Sequence, residues 1–150
     1  NTMKNAIWLG ALVTLLALPL PALAEPIQAT LYKNPHCSCC EDYAAYLRQN
    51  GFEVEVKVTN DLEGITLQAG VPDQLEGCHT MFVDGYVVVG HVSADIMSKL
   101  LKERPPIVGI AIPGMPTGVP GMDGPKTGPV PVYEVSKDKT DKAPAVYAVE

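Results

Sequence analysis

The sequence predicts a single domain of the α/β class from its hydrophobic periodicity, a hairpin signal and the position of its cysteines. Segments whose apolar residues recur at every second position, typical of strands, alternate with segments of helical i, i+3, i+4 spacing. The pair Asp84-Gly85 separates two runs of β-branched and aromatic residues, which indicates a hairpin. A group of cysteines directly follows the first predicted strand.

The first half of the domain is predicted to alternate strand and helix. A first strand covers residues 29–33, and a helix begins near Cys40, where apolar side chains recur at helical spacing. Gly51 suits the left-handed end of that helix. Residues 52–58 alternate apolar and charged side chains, which predicts a half-buried strand, and residues 61–69 predict a short second helix.

The second half is predicted to contain the hairpin and a third helix. Residues 80–83 and 86–89 flank the Asp-Gly turn as its two strands. Ser93 is a suitable N-cap for a helix that runs to about Arg104 and stops at Pro105. The order is strand, helix, strand, helix, hairpin, helix, with cysteines at the end of the first strand. That order predicts a thioredoxin-like (glutaredoxin-like) single domain.

The composition changes after the third helix. Residues 105–131 are dense in proline and glycine and include Met115 and Met122. They predict a Pro/Gly/Met-rich C-terminal loop that lies over the domain, because such a stretch has little capacity for helices or ladders. Residues 130–135 and 145–149 then predict a terminal β-hairpin around a charged turn.

Residues 1–24 are predicted to be a signal peptide. Lys4 is a basic start, residues 6–20 are almost wholly apolar, and residues 22–24 (Ala-Leu-Ala) match the pattern that signal peptidase cleaves. The apolar run of about 15 residues is short for a membrane span, although an uncleaved anchor helix is the alternative. Residues 1–2 precede the first methionine, where the natural chain is expected to start. We therefore expect export to the periplasm, without stable membrane association after cleavage.

The mature chain, residues 25–150, is long enough for one compact domain and too short for two. Without Lys4 it carries ten basic and seventeen acidic side chains, a net charge of −7. An acidic domain of this kind is a poor partner for nucleic acid or anionic lipid, and it attracts cations.

The four cysteines are spaced as a thiol site and not as structural disulfides. Cys37, Cys39 and Cys40 lie within four residues, and Cys78 stands apart from them. Structural disulfides stabilise by closing long loops, and three cysteines in one loop close very little. Cys37 and Cys40 form a Cys-x-x-Cys pair at a helix start, where thiol pKa values fall, so a thiol–disulfide oxidoreductase is one interpretation. The additional thiol of Cys39 argues against a simple two-thiol exchange.

The hairpin register brings the fourth cysteine to the other three. Glutaredoxin-like chains carry a proline that faces the redox cysteines just before the hairpin, and the Asp-Gly turn places His79 at that position. We therefore expect Cys78 and His79 to face Cys37, Cys39 and Cys40. Four thiolates from two segments make a soft-metal site. Without metal, the pair most able to form a disulfide is Cys37 with Cys40, since a vicinal bond is strained.

The choice of metal follows from the crowding of the thiols. Zinc prefers two ligand pairs spaced two to four residues apart, and iron–sulfur clusters prefer wider spacing. Cuprous ion accepts two or three sulfurs, and thiolates bridge several such ions, so the crowded motif favours copper. A zinc-stabilised structural domain and an oxidoreductase that uses Cys37 and Cys40 stay open as alternatives.

The chain also resembles the periplasmic copper-handling proteins of the CopG type over nearly all of its mature length. The residues that carry the resemblance are Leu31-Tyr32-Lys33-Asn34-Pro35, Cys37-Ser38-Cys39-Cys40, Gly70-Val71-Pro72, Cys78-His79-Thr80, Gly85-Tyr86, Gly90-His91-Val92, Glu103-Arg104-Pro105, Pro113-Gly114-Met115-Pro116 and Pro120-Gly121-Met122. The resemblance implies a thioredoxin-like fold, a thiolate-bridged copper cluster on the four cysteines, and a role in copper resistance beside other periplasmic resistance proteins. It further implies a copper redox activity, so an enzymatic role as a copper oxidoreductase stays open.

Histidines and methionines supply the secondary candidates. His79 is expected to bind oxidised copper, because imidazole suits the harder ion, or else to hydrogen-bond the backbone. His91 is a candidate for an outer or entry role, with a purely structural role as the alternative. Met115 and Met122 are candidates for thioether ligands, against the alternative that they fill gaps beneath the loop. His36 is expected to be solvated.

Overall fold

The computed structural model describes residues 18–139 and 142–150, which form one mixed α/β domain. The predicted signal peptide falls mostly on residues 1–17, outside the described part of the chain. Within the described ranges, no helix is long and apolar enough to cross a membrane. The strands and helices in chain order are β1 (Ile27–Lys33), α1 (Ser38–Arg48), β2 (Phe52–Val58), α2 (Leu62–Gln68), β3 (His79–Val83), β4 (Tyr86–Val89), α3 (Ala94–Glu103), β5 (Gly109–Ala111), β6 (Pro131–Val135) and β7 (Val146–Val149).

All seven strands belong to one sheet in the order β2-β1-β3-β4-β5-β6-β7. β1 pairs parallel with β2 and antiparallel with β3, so β1 lies inside the sheet. The predicted β3–β4 hairpin is confirmed, and Asp84 and Gly85 both adopt positive φ, at 45° and 84°. Positive φ at both central residues is the requirement of the tight hairpin turn that Asp-Gly favours.

The three predicted helices are present, each with the expected kind of boundary. α1 begins at Ser38, two residues earlier than its apolar periodicity indicates, and Cys37 is its N-cap. The side chains of Asp61 and Ser93 cap α2 and α3 by accepting hydrogen bonds from backbone N–H groups in the first turn. α3 ends at Glu103, and its C-cap is Arg104, whose φ of 51° is left-handed, immediately before Pro105.

The expectation that residues 105–131 form only a loop is wrong at its start. Residues 109–111 form β5, which pairs parallel with β4 and antiparallel with β6. The confirmed terminal hairpin of β6 and β7 therefore extends the main sheet. The reason is local: the run from Ile107 to Ile112 is apolar apart from Gly109, and the Pro/Gly-rich composition begins only after it. A side chain at Gly109 would collide with the backbone of Val87, so β5 can lie against β4 only with glycine there.

Both faces of the sheet are covered by apolar side chains. Val88 lies in the main core, and its neighbours Val87 and Val89 lie in a smaller cluster on the other face, as the two-residue period of a strand requires. The main core includes fully buried side chains from α1, α3 and the central strands: Leu31, Tyr43, Leu47, Met81, Met97, Leu100 and Ile110. This packing fixes the end of β1, the start of α1 and the start of β3 relative to one another, and the cysteines lie there.

Candidate metal centre

The cysteines come together because two chain segments meet at one end of the sheet. Cys37 caps α1, and Cys39 and Cys40 occupy its first turn, directly after β1. Cys78 immediately precedes β3, whose first residue, His79, is the register partner of Lys33 at the end of β1. The predicted convergence is confirmed: one ligand atom from each of the four cysteines lies within 4.8 Å of the others.

Two of the four sulfurs are joined in a disulfide. Cys37 and Cys40 form the bond predicted for the metal-free protein, while Cys39 and Cys78 are free thiols, each half-buried. The Cys39 Sγ lies 3.5 Å from the Cys37 Sγ. The Cys40 Sγ lies 3.4 Å from the carbonyl oxygen of Cys78, a contact between the two segments. Reduction of this one bond therefore changes the number of thiol ligands at the site from two to four.

Two histidines lie on the other side of Cys78. The Cys78 Sγ is 3.0 Å from Nε2 of His91 and 3.3 Å from Nδ1 of His79. The Nδ1 of His91 lies 2.7 Å from the carbonyl oxygen of Pro120, so this nitrogen carries the proton and donates it. The Nε2 of His91 therefore directs its lone pair at Cys78. His91 was predicted only as a secondary candidate, and the structure places it in direct contact with the cysteine site.

Burial keeps these groups uncharged in the metal-free protein. It lowers the pKa of His79 to about 3, with the neighbouring His91 acting in the same direction, and it also lowers the pKa of His91. Burial, together with the nearby Cys39, raises the pKa of the Cys78 thiol to about 12. At neutral pH the two imidazoles are therefore neutral ligands. A metal ion that binds Cys78 must displace a thiol proton.

Tyr43 holds both imidazole rings in place, a role that its sequence position did not reveal. Its ring centroid lies 4.8 Å from the centroid of His79 and also 4.8 Å from that of His91. Its hydroxyl donates a 2.7 Å hydrogen bond to the carbonyl of Val92. A Cβ on Gly121 would lie 2.7 Å from the Tyr43 backbone nitrogen, so glycine allows the C-terminal loop to press against α1 here. The available signal was its spacing from Cys40, because Tyr43 lies three residues later on the buried face of α1.

Lys33 is a second residue that sequence reasoning missed. It is only 5% exposed, and its ammonium group donates a 3.0 Å hydrogen bond to the carbonyl oxygen of Cys37. The same Nζ forms a 3.0 Å ion pair with Glu41 in the first turn of α1. A buried lysine needs such partners, and here they hold the start of α1, which carries the cysteines, against the end of β1.

The remaining candidates lie in more varied surroundings. Met122 is half-buried and packs against the main core, as Cys37, Cys39 and Cys78 also do, whereas Met115 is 57% exposed. His36 is exposed, as expected.

The donor set of the cysteine site offers soft sulfur from two segments and borderline imidazole nitrogen, which suits copper or zinc far better than hard cations such as magnesium or calcium.

Comparison with known proteins agrees with this donor set. A family described as a protein of unknown function, DUF411, matches residues 75–122, which include Cys78, both buried histidines and the loop as far as Met122. No match was found among curated protein sequences. The solved structure of copper resistance protein CopG, form 2, is 35% identical in sequence with a TM-score of 0.75, over 84% of this chain and 99% of that one. Form 1 is 35% identical with a TM-score of 0.74, over 84% and 98%. The chain therefore belongs to the CopG family of copper resistance proteins.

Proposed function

We propose that this chain is a periplasmic copper-binding protein whose four cysteines hold cuprous ion in copper resistance. The observation that carries the proposal is the approach of four sulfur ligands, from the start of α1 and the start of β3, to within 4.8 Å of one another. Cuprous ion prefers thiolates and accepts low coordination numbers. Sulfurs this close together are suited to bridging, so the reduced site binds more than one cuprous ion.

The surroundings of the cysteines support the proposal. Cys37, Cys39 and Cys78 are half-buried, which leaves them accessible to an incoming ion, while Cys40 is fully buried. The ammonium group of Lys33 beside the Cys37 carbonyl supplies positive charge close to the thiolates. Met115 and Met122 extend the set of soft groups into the C-terminal loop, where they would serve as entry or auxiliary ligands.

The proposal includes a thioredoxin-like arrangement of the first half of the domain and export of the chain. The order β2-β1-β3-β4, with α1 following the first strand and the cysteines at its N-terminus, supports that fold. Residues 1–24 would direct export and be removed, and residues 25–150 would work in the periplasm. An oxidising compartment is also where the Cys37–Cys40 disulfide would persist without metal.

A copper redox reaction follows from the same dithiol. When Cys37 and Cys40 close their disulfide, the two thiols release two electrons and two protons. Two cupric ions that accept one electron each become two cuprous ions, so the reaction balances without a further reactant. The product ions would then meet the remaining thiols of Cys39 and Cys78. His79 is the ligand proposed to favour the cupric state, since imidazole is the harder donor.

The observed disulfide also favours a second candidate, a thiol–disulfide oxidoreductase that uses Cys37 and Cys40. Against it stand the free thiol of Cys39, 3.5 Å from the Cys37 sulfur, and the free Cys78 within the same cluster. Both would compete with an external substrate for the disulfide. A zinc-stabilised domain is the third candidate, and the three-plus-one division of its ligands departs from the usual paired spacing.

Metal analysis of protein purified anaerobically from a copper-supplied periplasm tests the proposal. We expect copper in excess of one ion per chain, with zinc below that level. The variant Cys39→Ser is the sharpest comparison, because it keeps the Cys-x-x-Cys pair of an oxidoreductase and removes one sulfur ligand. Copper-free protein, or a Cys39→Ser variant that binds as much copper as the wild type, would contradict the proposal.

A further inference from the structure

We propose that Cys78, His79 and His91 form a second, mononuclear metal site, which binds one borderline divalent ion while the Cys37–Cys40 disulfide is closed. This inference goes beyond the four-thiolate site and does not depend on it. The ligands are the sulfur of Cys78 and one imidazole nitrogen from each histidine. The three ligand atoms lie within 4.8 Å of one another.

The distances suit a single ion. Nitrogen at about 2.0 Å and sulfur at about 2.3 Å from one metal lie about 3 to 3.7 Å apart when the angles at the metal are between right-angled and trigonal. The observed separations from the Cys78 Sγ are 3.0 Å to His91 Nε2 and 3.3 Å to His79 Nδ1. Both nitrogens therefore already lie at ligand spacing from the sulfur, with the thiol proton of Cys78 between them and it.

The lone pairs of the histidines are directed as the site requires. The Nδ1–H of His91 donates to the carbonyl of Pro120, which fixes the tautomer and leaves Nε2 unprotonated toward the sulfur. A backbone carbonyl in this position is a common outer partner of a metal-binding histidine. His79 is completely buried, and its Nε2 has no hydrogen-bond partner. A proton placed on that Nε2 leaves Nδ1 with its lone pair toward Cys78.

The rings are held in place before any ion arrives. Tyr43 stacks on His79 with an interplanar angle of 22° and contacts His91 at 44°, and its hydroxyl is tied to Val92. Binding therefore orders little further structure at the two imidazoles, and the principal change is loss of the Cys78 proton. The half-buried Cys78 is the accessible member through which an ion would enter.

Two nitrogens and one thiolate select a borderline ion. A set of this kind ranks cupric ion above cobalt, nickel and zinc, and it excludes magnesium and calcium. The site differs from the four-thiolate site in its ligands, in the number of ions it holds, which is one, and in the redox state in which it binds metal. Closure of the disulfide removes Cys37 and Cys40 as thiolate ligands and leaves these three donors unchanged.

Anaerobic titration of the disulfide form with Co²⁺ tests the site, because Co²⁺ does not oxidise thiols and reports a bound thiolate by its charge-transfer absorption. We expect one equivalent of Co²⁺ to bind with that absorption and to be displaced by Zn²⁺. The variants His91→Gln and His79→Gln should each weaken Co²⁺ binding by about tenfold to a hundredfold. A Cys37→Ala/Cys40→Ala double variant, which cannot form the thiolate cluster, should bind Co²⁺ as the wild-type disulfide form does.

Two matched controls identify the ligands. His36→Ala removes an exposed imidazole and should not change Co²⁺ affinity more than about threefold. Cys39→Ser removes the other free thiol, which lies beside Cys78, and should not weaken Co²⁺ binding. Absence of Co²⁺ binding to the disulfide form, or binding that survives both His91→Gln and His79→Gln, would overturn the inference. Loss of binding in Cys39→Ser alone would also overturn it. Failure of the four-thiolate proposal would be seen in a different measurement, as absence of cuprous binding by the reduced protein.

Discussion

The two sides of Cys78 differ in how firmly the fold holds them. On one side Cys37 and Cys39 lie half-buried at the start of α1, and the Cys37–Cys40 pair changes its chemistry with one redox step. On the other side His79 and His91 are buried and fixed by stacking and by the Pro120 carbonyl. The sulfur side can therefore change its number of ligands with the redox state of Cys37 and Cys40, and we expect the two ligands of the imidazole side to stay available in both states, because neither contacts the disulfide through a hydrogen bond.

We therefore expect the two sides to control different properties of the site, namely the number of ions that bind and the preference among ions. In the proposed function, the number of thiolates would set how many soft ions bind, and the neutral imidazoles would set which ion is preferred once few thiolates remain. Cys78 belongs to both sides, so its substitution is expected to disturb both, whereas substitutions of Cys39 or of the histidines should disturb one.

The largest expected effect is that of Cys78→Ser. Loss of a shared sulfur should weaken cuprous binding by the reduced protein by about tenfold or more, because hydroxyl oxygen is a poor ligand for a soft ion. His79→Ala should weaken cuprous binding much less. Competition with a cuprous chelator under anaerobic conditions measures both variants, with His36→Ala as the exposed control. Equal losses in Cys78→Ser and His79→Ala would remove the distinction between the two sides.

The imidazole side should make the metal-free protein sensitive to acid. The pKa of His79 is lowered to about 3 in the fold, and the unfolded chain takes up that proton near pH 6.5. Above about pH 6.5 His79 is neutral in both the folded and the unfolded chain, so the full free energy of unfolding is retained. As the pH falls from about 6.5 toward 3, only the unfolded chain takes up the proton, and the free energy of unfolding declines by up to about 1.4 kcal/mol per pH unit. His91, whose pKa is also lowered, acts in the same direction.

Urea unfolding of the metal-free disulfide form between pH 7 and pH 4 measures this slope. His79→Gln carries no titrating ring, so its free energy of unfolding should fall less steeply with acid than that of the wild type. A variant as steep as the wild type would mean that the imidazole of His79 is protonated without penalty in the fold.

The smallest expected effect is that of Tyr43→Phe, which removes only the hydroxyl that donates to the Val92 carbonyl. Loss of that buried hydrogen bond should lower the free energy of unfolding by about 1 kcal/mol. The phenyl ring keeps its place against both histidines, so cuprous affinity on the sulfur side should stay the same. Urea unfolding and chelator competition test the two statements, and a cuprous affinity changed more than about threefold would show that the sides are not separate.

The sequence predicted the elements near the cysteines well, because local signals and long-range packing agree there. Residues 52–58 alternate apolar and charged side chains, and the apolar side chains of Phe52 and Val54 are buried while those of Val56 and Val58 are progressively more exposed. The strand was predicted with its observed bounds. The meeting of Cys78 with the first three cysteines followed from hairpin register, since the Asp-Gly turn fixes where β3 begins.

What could not be predicted depends on contacts between distant segments. β5 is only three residues long, and the apolar run that contains it is too short to predict a strand without β4 and β6, which flank it. The approach of His91 to Cys78 depends on the turn after β4 and on the carbonyl of Pro120, 29 residues further along the chain. The role of Lys33 was hidden for the same reason, because its partners lie in the next element.

Cuprous stoichiometry in the two redox states tests the central claim most directly. Reduced protein and protein with the Cys37–Cys40 disulfide are titrated anaerobically with cuprous ion against a chelator, and copper–sulfur bonding is followed by X-ray absorption. Our prediction is more than one cuprous ion per chain with sulfur ligands in the reduced protein, and at most one in the disulfide form. Equal stoichiometry and affinity in the two forms would contradict it.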